Sequence, residues 1–137
     1  MIKDIWLNLP VKDVNRSREF FTKLGFSFDV KYGNTKISAG MVVGEKKSIV
    51  MLFEESVFKT FAHHNIVNTK EATEVLISVE LSSPEEVDQM AKKVPDAGGR
   101  VFTKPGGSQG WLYGFAFADP DGHHWNMLYM DMAKMPK

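Results

Sequence analysis

The sequence predicts an α+β domain built from two tandem βαβββ modules, whose curved mixed sheets surround a concave cavity. Three observations support this fold class. The order of predicted elements, a strand, a helix and then three strands, occurs twice along the chain. Each long predicted helix has a capping residue before it and a glycine soon after it. The length of 137 residues is typical of one domain.

The first module covers about residues 1–61. Its first strand is predicted at 2–11, because branched residues are frequent there and alternate with polar ones. Asp13 can cap a helix at 13–24, since its side chain can accept a hydrogen bond from the first helical turn. A short helix is predicted at 55–61. The three strands between these helices have the sequences FSFDVKY, TKISAGMVV and KSIVMLFEE.

The second module covers about residues 74–132 and follows a predicted linker at 62–73. After the strand VLISVEL, the sequence SPEE indicates a helix that starts with Ser83 as its cap. This helix is expected at 84–94, with Pro95 ending it. The stretch GGSQG is expected to be a flexible loop at the mouth of the cavity. The three remaining strands have the sequences RVFTKP, LYGFAFAD and HHWNMLYM.

The composition excludes several classes of function. The 17 basic and 17 acidic side chains give no net charge, so a nucleic-acid or membrane partner is not expected. Cysteine is absent, which excludes disulfides, thiolate metal sites and a cysteine nucleophile. The start MIKDIWLNLP does not read as a signal peptide, so we expect a cytoplasmic protein.

Two stretches of the chain resemble a known family. The opening LPVKDVNRSREFFTKLGF and the ending GWLYGFAFADPDGHHWNML are similar to the vicinal oxygen chelate superfamily. That superfamily contains glyoxalase I, the bleomycin-resistance proteins and the extradiol dioxygenases. The resemblance covers nearly the whole chain and implies the glyoxalase/bleomycin-resistance-type fold. It implies less about function, because the superfamily performs many reactions.

The resemblance also implies where a metal would bind. Metal-dependent members take one ligand from each of four strands, and the matching residues here are Trp6, Met51, Glu74 and Asn126. An indole cannot ligate a cation, and a thioether is too soft for the divalent ions of this chemistry. Only Glu74 is a hard anionic ligand. We therefore predict no metal and no other cofactor, with a bound divalent metal as the alternative.

Strand alternation predicts the lining of the cavity, because every second side chain of a strand shares one face. Trp111 and Tyr113 are expected close behind the glycine-rich loop. The alternative is that this face is filled core. The other predicted pocket residues are Trp6, Asn8, Met51, Phe53, Glu74, Leu76, Ser78, His124 and Asn126.

The predicted function is that of a glyoxalase/bleomycin-resistance-like protein that binds a small hydrophobic or aromatic molecule without a metal. One alternative is a metal-dependent lyase, isomerase or ring-cleaving dioxygenase of the same superfamily. The other is a metal-free enzyme with Glu74 or His124 as its base, since desolvation of a carboxylate among apolar neighbours favours general-base chemistry. The apolar first strand predicts a homodimer, because an unpaired strand edge invites another strand.

Overall fold

The computed structural model describes residues 1–136 of the chain. It divides into two compact units, Met1–Asn68 and Thr69–Lys137, with the boundary inside the predicted linker at 62–73. The order of strands and helices confirms the α+β class with two tandem βαβββ modules. None of the helices in the described part of the chain is long and apolar enough to cross a bilayer.

Unit 1 contains a four-stranded mixed sheet, sheet 1, in the order β1-β4-β3-β2. Strand β1 runs parallel to β4, whereas the other neighbouring strands are antiparallel. Both β1 and β2 are therefore edges of this sheet. The elements of unit 1 are β1 (Trp6–Val11), α1 (Val14–Lys23), β2 (Ser27–Phe28), β3 (Ser38–Val43), β4 (Ser48–Glu54) and α2 (Glu55–Ala62).

Helix α1 begins as the sequence predicts. The side chain of Asp13 accepts a hydrogen bond from the backbone N–H of Arg16 at 3.2 Å, which satisfies one of the free donors of the first turn. Phe20 and Phe21 are buried, so this face of the helix contributes two large side chains to the core of unit 1.

Unit 2 contains a mixed sheet, sheet 2, in the order β5-β9-β8-β6, and β7 pairs with β8 outside this order. Strand β5 runs parallel to β9 and forms an edge, as β1 does in unit 1. The elements of unit 2 are β5 (Leu76–Glu80), α3 (Pro84–Ala97), β6 (Arg100–Val101), β7 (Gly106–Ser108), β8 (Leu112–Ala118) and β9 (His124–Met130).

Two sequence predictions about unit 2 are wrong. Helix α3 does not end at Pro95 but continues to Ala97. Proline costs little there, because it lies in the last turn and removes a single hydrogen bond, and Gly98 then closes the helix with a φ of 111°. The glycine-rich loop is in part a strand, since Gly106–Ser108 pairs with β8.

One prediction about unit 1 also needs correction. The stretch FSFDVKY forms only the two-residue strand β2, followed by a 3₁₀ turn over Val30–Tyr32. The cause is local, because the side chain of Asp29 accepts a hydrogen bond from the N–H of Lys31 at 3.0 Å and so favours a turn over a strand.

The helix caps fix how the two modules correspond. Ser83 caps α3 as Asp13 caps α1, and it follows Asp13 by 70 residues (83 − 13). An alignment of the two modules that places Val11 on Val79 sets Glu74 opposite Trp6, and it is displaced by two residues from this correspondence. The residue of unit 2 that corresponds to Trp6 is therefore Leu76.

Candidate ligand-binding faces

The first candidate site lies on the face of sheet 1 that carries Trp6, which we call the Trp6 face. Asn8 is paired with Met51 in the parallel register of β1 and β4, so the two side chains lie side by side. Trp6 is 48% exposed and Asn8 is exposed, whereas Met51 is only 5% exposed. The polar amide and the indole are therefore available to a ligand, and the thioether forms the floor beneath them.

Tyr32 completes the aromatic part of the Trp6 face. Its ring is edge-on to the indole of Trp6, with the two ring centroids 5.2 Å apart. Gly40 makes this approach possible, because a Cβ at Gly40 would overlap the Cβ of Tyr32. A side chain at this strand position would displace the ring, so the glycine in the sequence SAGMV positions an aromatic residue that alternation alone did not predict.

Phe53 extends the apolar part of the Trp6 face. It pairs with Pro10 across β1 and β4, and its ring contacts Phe61 of α2 at 5.2 Å between centroids. Phe61 itself is 64% exposed. The face is thus aromatic over much of its length.

The second candidate site lies on the face of sheet 2 that carries His124, which we call the His124 face. Leu76 pairs with His124 and Ser78 pairs with Asn126 in the parallel register of β5 and β9. The side-chain amide of Asn126 donates a hydrogen bond to the hydroxyl of Ser78 at 3.3 Å. Four of the predicted pocket residues are therefore brought together on one face of one sheet.

Two further residues of the His124 face were not predicted from the sequence. The ring of Phe102 lies 4.5 Å from the His124 ring, measured between centroids. The guanidinium of Arg100 lies over the Phe102 ring, 4.8 Å from its centroid. A signal was present, because Arg100 and Phe102 alternate with Val101 in a predicted strand.

Tyr113 lies on the opposite face of sheet 2 and not with His124. It pairs with Tyr129, and its hydroxyl donates a hydrogen bond to the carboxylate of Asp88 on α3 at 2.6 Å. This hydrogen bond raises the pKa of the Tyr113 phenol. Trp111 precedes β8, and its indole donates to Gln109 at 3.4 Å. Tyr113 therefore supports the helix rather than the His124 face.

Glu74 lies outside β5, two residues before the strand begins, and its side chain is exposed. The apolar surroundings on which its predicted role as a base depends are therefore not present in unit 2. His124 does lie on the predicted face, half-buried between Phe102 and Leu76.

The side chains at the four family positions do not fit a divalent metal. Trp6 offers only an N–H donor, Met51 a soft thioether, and Asn126 one neutral carbonyl oxygen. The fourth position is Leu76 by the cap correspondence, which provides no ligand at all. Among residues 1–136, no three His, Cys, Asp or Glu side chains form a group that could hold a metal ion.

A buried carboxylate fixes the turn that leads into β9. The carboxylate of Asp119 accepts hydrogen bonds from the N–H groups of Asp121 and His123, both at 3.0 Å, and from the indole of Trp125 at 3.1 Å. Burial raises the pKa of Asp119, although His123 and the indole hydrogen bond act in the opposite direction. This turn sets the position at which β9 starts, and so the position of His124.

The sequence and the fold of the whole chain are similar to those of known proteins. The model of the Glyoxalase/Bleomycin resistance protein/Dioxygenase superfamily matches residues 5–127. A hypothetical protein from S. aureus has a solved structure that is 38% identical, with 94% of each chain covered and a TM-score of 0.82. A search of curated protein sequences gave no significant match.

More distant solved structures share the fold. A glyoxalase-related enzyme from Fulvimarina pelagi is 14% identical, with 94% of this chain and 88% of that chain covered and a TM-score of 0.78. A family enzyme from Burkholderia phytofirmans PsJN is 15% identical, with 91% and 96% covered and a TM-score of 0.77. Together with the family match over most of the sequence, these similarities place the chain in the glyoxalase/bleomycin resistance protein/dioxygenase superfamily, to which it belongs.

Proposed function

We propose that the protein binds a small, planar, hydrophobic or aromatic molecule on its sheet faces, and that it does so without a metal. The observation that carries this proposal is the chemistry of the side chains at the family's ligand positions. They are aromatic, thioether, aliphatic and amide groups, which suit an organic molecule better than a cation.

The Trp6 face supports an aromatic ligand in particular. The edge-on pair of Trp6 and Tyr32 exposes part of an indole beside the amide of Asn8. An aromatic ring can stack on such a pair, while the amide offers one donor and one acceptor to orient it. Exposed aromatic area next to a few polar groups is the usual composition of a small-molecule site.

The test is a thermal-shift screen on protein treated with a chelator. The screen uses a panel of neutral and charged planar aromatic molecules, because a ligand that binds only the folded state raises the melting temperature. We expect at least one class of planar molecule to raise it, and Tyr32→Leu to reduce that shift. Tyr129→Leu, on the opposite face of sheet 2, is the matched control and should retain it.

A flat response over the whole panel would contradict the proposal. So would a response that appears only after a transition metal is added, because this outcome would favour the metal-dependent chemistry of many members of the superfamily.

A further inference from the structure

The His124 face carries a cation that has no counter-ion. The guanidinium carbon of Arg100 lies 4.8 Å from the centroid of the Phe102 ring, and Arg100 is exposed. Within residues 1–136, no carboxylate lies at ion-pair distance from it, and the described ion pairs involve Lys31 and Lys134 instead. A guanidinium that is held by an aromatic ring and lacks an acid partner retains all its N–H donors for a ligand.

The residues of β8 next to Arg100 have small side chains. Arg100 pairs with Ala118, and the backbone of Phe102 donates to the carbonyl of Ala116 at 2.8 Å. Both alanines share the His124 face, so β8 contributes only methyl groups to the part of that face next to Arg100 and Phe102. The small side chains allow the rings of Phe102 and His124 to approach each other across β8.

Polar groups lie beyond the Phe102 and His124 rings, on the side away from Arg100. The His124 ring lies against the Phe102 ring with 42° between the ring planes, and Asn126 follows His124 by two residues on β9 with its amide directed to Ser78. A cation and a ring at the end of β6 are therefore followed, across β8, by a ring and an amide on β9. This sequence of groups matches a ligand that has an anionic end and a flat body.

We propose that the His124 face is a binding subsite for a planar organic carboxylate, in which Arg100 holds the carboxylate and the Phe102–His124 pair supports the ring system. This inference deepens the proposed function and rests on it, because it names the chemical class of the ligand. The planar fork of arginine binds a carboxylate with two parallel hydrogen bonds, and its attachment to Phe102 limits the freedom lost on binding.

The charge distribution on the face is consistent with this assignment. Glu80 is the one acidic residue of β5 on the same face. It is separated from β6 by three strand spacings in the order β5-β9-β8-β6, or about 14 Å at ~4.8 Å per strand. That separation exceeds the Debye length of ~8 Å at physiological salt, so its repulsion of a carboxylate at Arg100 is largely screened.

The test is calorimetric titration of the full chain, in the presence of a chelator, with indole-3-carboxylate and its neutral analogue indole-3-carboxamide. We expect the carboxylate to bind about tenfold more tightly, which corresponds to ~1.4 kcal/mol. Arg100→Gln should reduce carboxylate binding to the level of the amide and leave the amide unchanged. Phe102→Leu should weaken both compounds several-fold.

Lys93→Gln is the matched control, since it removes one positive charge from the exposed surface of α3 and should change neither affinity. Circular dichroism and the melting temperature establish that each variant is folded. Equal binding of the two compounds, or an equal loss of both in Arg100→Gln, would overturn the carboxylate subsite while leaving the proposed function intact. Absence of binding by both compounds at millimolar concentration would overturn the subsite as well, and the proposed function would then stand or fall on its own screen.

Discussion

Replacing Asp119 with alanine removes the acceptor of three N–H groups at the turn before β9. Two of these donors, the N–H of His123 and the indole N–H of Trp125, form buried hydrogen bonds with the carboxylate. A buried donor left without an acceptor costs about 1–3 kcal/mol, so we expect Asp119→Ala to lower the free energy of unfolding by about 4 kcal/mol. That is a large part of the ~5–15 kcal/mol that stabilises a typical domain.

The assay is urea denaturation at pH 7, followed by both tryptophan fluorescence and circular dichroism. With a slope of about 2 kcal/mol per molar urea, the expected loss corresponds to a midpoint about 2 M lower. Asp96→Ala is the control, because it removes an exposed carboxylate from α3 and should leave the midpoint nearly unchanged. A decrease of less than ~0.5 M in Asp119→Ala would refute the view that this carboxylate holds the turn, because it would correspond to only ~1 kcal/mol.

Three further predictions concern pH, packing and assembly. Burial raises the pKa of Asp119, so the stability of the protein relative to Asp119→Asn should fall as the pH rises from about 3.9 through the folded pKa. An increase, over this range, in the urea midpoint of the protein minus that of Asp119→Asn would contradict it. Gly40→Ala should destabilise unit 1 by about 1–3 kcal/mol because the new Cβ meets Tyr32, whereas Gly107→Ala, with only ordinary contacts, should show no comparable decrease in melting temperature. Light scattering at micromolar concentration should give twice the mass of one chain, because edge strand β1 exposes Trp6 and its neighbours; the mass of a single chain would exclude the dimer.

The sequence predicted the fold where local signals agree with the overall arrangement. Asp13 and Ser83 cap the helices that were expected after them, and each accepts a hydrogen bond from the third residue that follows. These signals act over a single turn and need no tertiary contact. The end of α3 was mispredicted for a related reason, because the effect of Pro95 depends on how close it lies to the end of the helix.

The candidate faces could be predicted only as far as alternation within each strand allows. Alternation, counted from the family's metal positions at Glu74 and Asn126, placed Ser78 and Asn126 on one face. It could not show that Phe102 reaches His124, since that contact depends on the pairing of β6 with β8 and of β8 with β9. Glu74 was misplaced relative to Trp6 because the alignment of Val11 with Val79 ignored the helix caps.

Metal-free binding is tested directly by the affinity of the chelator-treated protein for the best compound of the thermal-shift screen, determined by calorimetry. The titration is then repeated after the addition of one equivalent each of zinc, manganese and ferrous iron in separate samples. We predict measurable binding without metal and the same dissociation constant in every sample. Binding that is lost on chelation and restored by one of these metals would contradict the proposal that the side chains of this chain hold an organic ligand without a metal.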